Sequence, residues 1–222
     1  MAAPGLIIFD CDGVLVDSEP ISVAVLREVL AEDGCHIPLD EAYDRMLGLS
    51  VASISDLLRS DYGLDLTAAH MADIRTRLYA RFRAELRAVD GVADLVSALP
   101  CPVCVASSSQ PERIALSLQV TGLAPLFGPH IFSATMVPRG KPAPDLFLFA
   151  ADRMGVAPAD CVVIEDSLAG IRAAQAAGMR VMAFTGGGHA GPAGLAARVA
   201  ALQPTAQVDN MAALADILLT QP

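Results

Sequence analysis

The sequence predicts an α/β fold, a parallel sheet covered on both faces by helices, with a block of helices inserted after its first strand. Three observations predict it. Leu6-Ile7-Ile8-Phe9 is a fully apolar run ending in Asp10-Cys11-Asp12-Gly13, the pattern of a buried parallel strand that empties into polar residues. From Pro20 to about Arg87 the apolar spacing is helical, with no strong strand candidate. After Asp90-Gly91 short apolar runs alternate with helical segments, which argues for right-handed crossovers and a parallel sheet.

The first strand therefore belongs with the later ones. Residues 1–17 and 88–222 are expected to form a Rossmann-like α/β core, and residues 18–87 an inserted α-helical cap domain. In the cap, Val23, Leu26, Val29 and Leu30 make one helical stripe closed by Gly34. A second amphipathic piece carries Ile54, Leu57 and Leu58. A third starts at Thr67 with Met71, Ile74, Leu78, Tyr79, Phe82 and Leu86, and its Arg75, Arg77, Arg81, Arg83 and Arg87 read as a solvated face. In the core, strands are expected at 103–106, 131–133, 161–164 and 181–184, with a weaker one at 206–208. Helices are expected at 92–99, 111–120, 145–154, 168–177 and 211–219.

The 222 residues are 54% hydrophobic and 18% charged, enough to build a sizeable core and too apolar for global disorder. A net charge of −10 opposes binding to nucleic acid, whose affinity comes from Lys and Arg. No secretory signal is expected at Met1-Ala2-Ala3-Pro4-Gly5, which lacks a basic start, so cytoplasm is the default location. The uncharged stretch 114–138 is broken by Gly122, Pro125, Gly128, Pro129 and His130, so no membrane association is expected. The five cysteines read as reduced thiols, and Cys101-Pro102-Val103-Cys104 leads into a strand rather than a helix, unlike a redox pair. The four histidines are isolated, which argues against zinc. No large unpaired apolar helix stands out, and a monomer is expected.

Chemistry gathers at the ends of the expected strands, where ligands bind in open α/β sheets. Alternation sends Asp10 and Asp12 to one side and Cys11 to the other. Two like charges so close favour a bound cation or a held proton; the same letters also suit a strand closed by an Asp-Gly turn. Ser107-Ser108-Ser109, ahead of Pro111, offers hydroxyls and backbone N–H groups for phosphate oxygens, and equally for helix capping. Glu165-Asp166 opens the helix at Leu168, where acids suit the helix dipole; lying at the same edge as Asp10 and Asp12, the pair also suits a metal. Among 15 basic residues there is a single Lys, Lys141, in Gly140-Lys141-Pro142. Its compact ammonium can touch a carboxylate and a phosphoryl oxygen together.

In this order, the four elements resemble the haloacid dehalogenase-like superfamily. Asp10-Cys11-Asp12-Gly13-Val14-Leu15-Val16-Asp17-Ser18-Glu19 looks like its first motif, Ser107 its second, Lys141 its third and Glu165-Asp166 its fourth. The insertion looks like the small cap of the subgroup containing β-phosphoglucomutase and sugar-phosphate phosphatases. The resemblance implies a phosphatase acting on a small phosphorylated metabolite. Asp10 would be the nucleophile that forms an aspartyl-phosphate, and Asp12 the general acid and base. Mg²⁺ would be held by Asp10, the Asp12 carbonyl, Asp166 and Glu165. Ser107, Ser108 and Lys141 would hold the phosphoryl oxygens. Leu47-Gly48-Leu49-Ser50 resembles the subgroup's substrate-specificity loop, which places Gly48 and Ser50, with Glu19, at the leaving group.

A phosphosugar mutase is the nearest alternative. Where mutases of this subgroup carry a cap His and a cap Arg, this chain has Ser22 and Val51. A dehalogenase would lack Asp12, and a phosphonate hydrolase would need a cap Lys, which is absent. A non-catalytic phosphate- or metal-binding regulator is the alternative from another class. Gly186-Gly187-Gly188-His189 has the wrong spacing for a dinucleotide fingerprint, and His189 receives no role.

Overall fold

A computed structural model describes residues 3–46 and 51–219, with residues 51 and 52 described by backbone alone. Six strands form one sheet: β1 Leu6–Phe9, β2 Val103–Ser107, β3 Ile131–Ser133, β4 Cys161–Glu165, β5 Arg180–Phe184 and β6 Ala206–Val208. Their order is β3-β2-β1-β4-β5-β6, and every neighbouring pair is parallel. The order reverses at β1, which creates a crevice at the carboxyl ends of β1, β2 and β4.

The sequence places these strands inside because both of their faces are apolar. Ile7, Phe9, Val105, Val162, Ile164, Met182 and Phe184 pack into one core cluster. The alternate residues Leu6, Ile8, Cys104, Val163, Val181 and Ala183 pack into another on the opposite face. Helices α1 Glu19–Glu32, α2 Leu39–Arg45, α3 Val51–Tyr62 and α4 Ala68–Glu85 occupy the insertion. Those that follow are α5 Val92–Ala98, α6 Pro111–Val120, α7 Ala124–Phe127, α8 Asp145–Met154, α9 Leu168–Ala176, α10 Leu195–Ala200 and α11 Met211–Leu219. The expected strands and long helices are all present, within a residue at each end. The short α2, α7 and α10 were not foreseen: at seven, four and six residues they span too few turns for a periodic stripe to show.

The inserted helices leave and rejoin the sheet at adjoining points. The Val89 N–H donates to the Leu15 carbonyl and the Asp17 N–H to the Arg87 carbonyl, with Val16 and Ala88 bridged between them. Part of the insertion packs in a separate cluster, with Val23, Leu30, Ile37, Tyr43 and Leu58 joined there by Ala193. Ile21 and Val25 of α1, with Leu78 and Phe82 of α4, instead join the cluster beneath the sheet. Two of the arginines that read as a solvated face are ion-paired on the surface: Arg77 with Glu32 and Asp73, and Arg81 with Glu28 and Glu85. No helix among the described residues is long and apolar enough to cross a membrane. All five cysteines are free, and burial pushes the Cys104 and Cys101 thiols above their ordinary range, away from redox reactivity.

Candidate active site

The segment after β1 folds back on itself. The Cys11 carbonyl accepts from the Leu15 and Val16 N–H groups, and the Gly13 N–H donates to the Val16 carbonyl. Gly13 holds φ +80°, and a Cβ there would fall onto the Asp166 carboxylate. This turn buries Cys11 in the core and leaves both flanking aspartates at the sheet edge, as their alternation implies.

Asp10, Glu165 and Asp166 are buried, and each offers a carboxylate oxygen within 4.8 Å of the others. Lys141, its side chain 3% exposed, spans two of them: Nζ lies 2.6 Å from Asp10 Oδ1 and 3.3 Å from Glu165 Oε2, over the Phe147 ring. Burial alone would lower the ammonium's pKa, but the two carboxylates outweigh it and raise it. Burial pushes Asp10 well above the carboxylate range; Lys141 opposes this, while Glu165, Asp166 and Asp12 add to it. Ser167, the N-cap of α9, donates to Glu165 Oε1 at 2.6 Å and accepts from the Gly170 N–H, so the helix start also orients the carboxylate.

Asp12 accepts three hydrogen bonds: from Ser18 at 2.6 Å, Ser109 at 2.6 Å and Arg113 Nη2 at 2.7 Å. Burial would raise its pKa, yet Arg113 and the two hydroxyls outweigh it and hold Asp12 below the ordinary range as the carboxylate. Glu19, at the start of α1, is pushed up to about 7 by burial first and by Asp12 next.

Of the expected site residues, all but Gly48 and Ser50 lie among the described residues. Asp10, Asp12, Lys141, Glu165 and Asp166 converge. Ser107 is buried at the end of β2, where its hydroxyl accepts from the Ser109 N–H at 3.1 Å. Ser108 is exposed, and Ser109 is the hydroxyl that reaches Asp12. Glu19 sits electrostatically beside Asp12, Asp166 and Arg113. Gly48 and Ser50 lie outside the described residues. Arg113 was missed, because one Arg on an amphipathic helix carries no signal by itself. Its guanidinium touches Asp12, the Ser22 hydroxyl at 3.1 Å and the Phe82 ring.

Asp10, Glu165 and Asp166 bring three buried carboxyl groups together against one ammonium, Lys141, and such a set of oxygen donors fits a divalent ion. A family model for haloacid dehalogenase-like hydrolases matches residues 4–178. The chain belongs to the haloacid dehalogenase-like hydrolase family. This haloacid dehalogenase-like chain is 32% identical over 187 residues to the 6-phosphogluconate phosphatase of Escherichia coli, covering 84% of this chain and 85% of that one. It is 33% identical over 185 residues to the fructose-1-phosphate phosphatase YqaB of the same organism, covering 78% of this chain and 92% of that one. A haloacid dehalogenase-like protein of Agrobacterium tumefaciens matches the structure with a TM-score of 0.87 at 37% identity, covering 98% of each chain. A family hydrolase from Deinococcus radiodurans, solved with bound phosphate and sodium, matches at 0.82 and 35% identity, covering 98% of this chain and 96% of that one.

Proposed function

We propose that this hydrolase is a Mg²⁺-dependent phosphatase that cleaves a small phosphomonoester, a sugar phosphate, through an aspartyl-phosphate on Asp10. The observation that carries the proposal is the Lys141 ammonium shared by Asp10 and Glu165, with Asp166 completing a buried three-carboxylate cluster. The likeness to sugar-phosphate phosphatases supports the substrate class. In this reading residues 18–87 are a cap over a core of residues 1–17 and 88–222.

Asp10, Asp166, the Asp12 backbone carbonyl and Glu165, directly or through a water, would hold the Mg²⁺. When bound, the ion offsets the repulsion between a carboxylate and a phosphate dianion. An Asp10 oxygen attacks phosphorus, the ester P–O bond breaks, and Asp12 donates a proton to the departing oxygen. Water then attacks the phosphorus of the acyl phosphate, Asp12 takes a proton from it, and Asp10 is released with inorganic phosphate. Lys141, Ser107 and the adjoining backbone N–H groups hold the equatorial oxygens as charge builds.

The three donors hold Asp12 as the carboxylate, the protonation state that the second half-reaction starts from, and they weaken it as a base for as long as all three stay in place. To donate in the first, it has to give up at least one of those contacts. Substrate entering between Asp12 and the inserted helices supplies the means, because Arg113 and Ser18 stand at that junction.

The test is phosphate release from p-nitrophenyl phosphate and a panel of sugar phosphates, with and without Mg²⁺, by wild type and Asp10→Asn. Mg²⁺-dependent release by wild type and none by the variant is expected. Absence of release from every phosphoester would return the chain to a binding role, and bisphosphate-dependent isomerisation would make it a mutase.

A further inference from the structure

The Gly186-Gly187-Gly188-His189 run after β5 belongs to no step above, yet it ends against the proposed metal cluster. His189 is 2% exposed, and its Nε2 lies 3.1 Å from Asp166 Oδ2. Its other ring nitrogen, Nδ1, is buried and has no hydrogen-bond partner among the described residues. A buried nitrogen in that state costs least as a bare acceptor, because an unmatched N–H donor forfeits a full hydrogen bond to water. The tautomer that fits carries its proton on Nε2 and donates it to Asp166.

Two of the three glycines, Gly187 and Gly188, leave the room this approach needs, and Gly186 fits against β6's end. A Cβ at Gly186 would run into the Asp209 backbone, and one at Gly187 would sit 2.8 Å from the His189 ring and 2.9 Å from the Gly13 carbonyl. One at Gly188 would sit 2.8 Å from Asp17 Oδ2, the carboxylate whose other oxygen accepts the Gly188 N–H at 2.9 Å. The loop therefore lies flush on the turn after β1, with Gly13 on one side of the Asp166 carboxylate and the imidazole on another.

We propose that His189 is a positioning residue for Asp166: its Nε2–H engages Oδ2, fixes the rotation of the carboxylate and leaves the other oxygen for the cation. This rests on the Mg²⁺ reading above. A hydrogen-bonded partner behind a metal ligand raises affinity by preorganising it, and loss of such a partner costs about 10- to 100-fold in metal affinity.

The experiment is Mg²⁺ binding to the full chain, without substrate, by isothermal titration calorimetry for wild type, His189→Gln and His189→Leu. Gln keeps an N–H donor near the place of Nε2, and Leu keeps only bulk. The expected result is a Kd raised about 10- to 100-fold in His189→Leu and largely restored in His189→Gln. Equal affinities in all three proteins overturn the role, as does an equal loss in both variants, which would mark a packing effect. A second measurement needs no variant: in wild type the ¹⁵N resonances of the His189 ring should move with Mg²⁺ at the calorimetric Kd, and their indifference to Mg²⁺ overturns the role. A wild type that binds no Mg²⁺ overturns the underlying metal reading together with this one, an outcome distinct from intact binding that ignores His189.

Discussion

Arg113 Nη2 lies 2.7 Å from Asp12 Oδ1 and 3.1 Å from the Ser22 hydroxyl, so one guanidinium joins the sheet edge to the first inserted helix. The same group stands 5.3 Å from the centre of the Phe82 ring on α4. A core helix, the proposed acid/base and two helices of the proposed cap thus share a single side chain. Arg113→Met should lower kcat by about 10- to 100-fold, the worth of a hydrogen bond to a charged group, because Asp12 loses its orientation and the inserted helices their tie. Arg113→Lys should recover little, since the shorter lysine stem ends in a compact ammonium and lacks the planar guanidinium that reaches Asp12 and Ser22 with its carbon over the Phe82 ring. Steady-state kinetics on a sugar phosphate decides the matter, and a kcat equal to wild type in Arg113→Met would sink it.

Gly13 and Gly34 separate backbone strain from site geometry. Both hold a positive φ, +80° and +78°, but a Cβ at Gly13 meets Asp166 and His189 while one at Gly34 meets nothing within 4 Å. Each Ala variant should lose about 1–2 kcal/mol from the left-handed conformation. That corresponds to a Tm lower by about 2–8 °C in a chain of this size. Only Gly13→Ala should also lose Mg²⁺ binding and activity. Equal activity losses in the two variants would show that strain alone, and not displacement of Asp166, is responsible.

Much of this site was legible because its chemistry follows apolar runs. Asp10 follows Phe9 and Glu165-Asp166 follows Ile164, so strand ends located the acids without any tertiary information. Lys141 stood out as a lone letter in an Arg-rich chain. Arg113 did not: it is one of many arginines, and its role depends on α6 packing beside α4, a contact between residues 31 positions apart. Ser109 was indistinguishable from Ser108 because a one-residue step decides which hydroxyl turns toward Asp12. His189 was set aside for want of ligand-like spacing; its partner is a carboxylate 23 residues earlier, joined to it only when β5 pairs with β4. Arg45 and Arg81 of the inserted helices are committed to ion pairs, with Glu41 and Asp61 and with Glu28 and Glu85.

The inserted helices carry a pH-sensitive tie. Tyr62 on α3 donates to Glu41 Oε1 on α2 at 2.7 Å. That bond pushes the phenol up to about 12, and the same phenol, with Arg45, holds Glu41 below its ordinary range. The two signs bracket a window. The phenol's contribution is complete below its unfolded value of about 10 and is lost as pH rises through about 12. The carboxylate's contribution is complete above its unfolded value of about 4.3 and is lost as pH falls through its depressed one. Ultraviolet titration of wild type beside Tyr62→Phe should show the variant losing a step near pH 12, while the Tyr43 phenol, which burial also raises, titrates in both proteins. If the step survives the substitution, another phenol is responsible and the tie is not the one described.

Lys141 links stability to the metal. Its ammonium is buried and serves two buried carboxylates, so Lys141→Met leaves Asp10 and Glu165 without their counter-charge. Removing one partner of a buried ion pair costs about 3–5 kcal/mol, since the remaining charge stays desolvated. For a chain of this size that is a fall in Tm of about 6–20 °C, measured without divalent ions. Mg²⁺ should restore part of the loss, because it neutralises the same carboxylates and binds only the folded form. Activity should not return with it, since the phosphoryl oxygens lose a donor worth about 100-fold or more in kcat. Lys141→Arg makes the converse point: charge and most of the stability remain, but the planar guanidinium cannot reach two carboxylates and an oxygen from one point, so catalysis stays low. Thermal denaturation with and without Mg²⁺, read beside kcat for both variants, tests the linkage. A Lys141→Met protein whose Tm matches wild type in chelator would mean that the cluster is not held together by this ammonium.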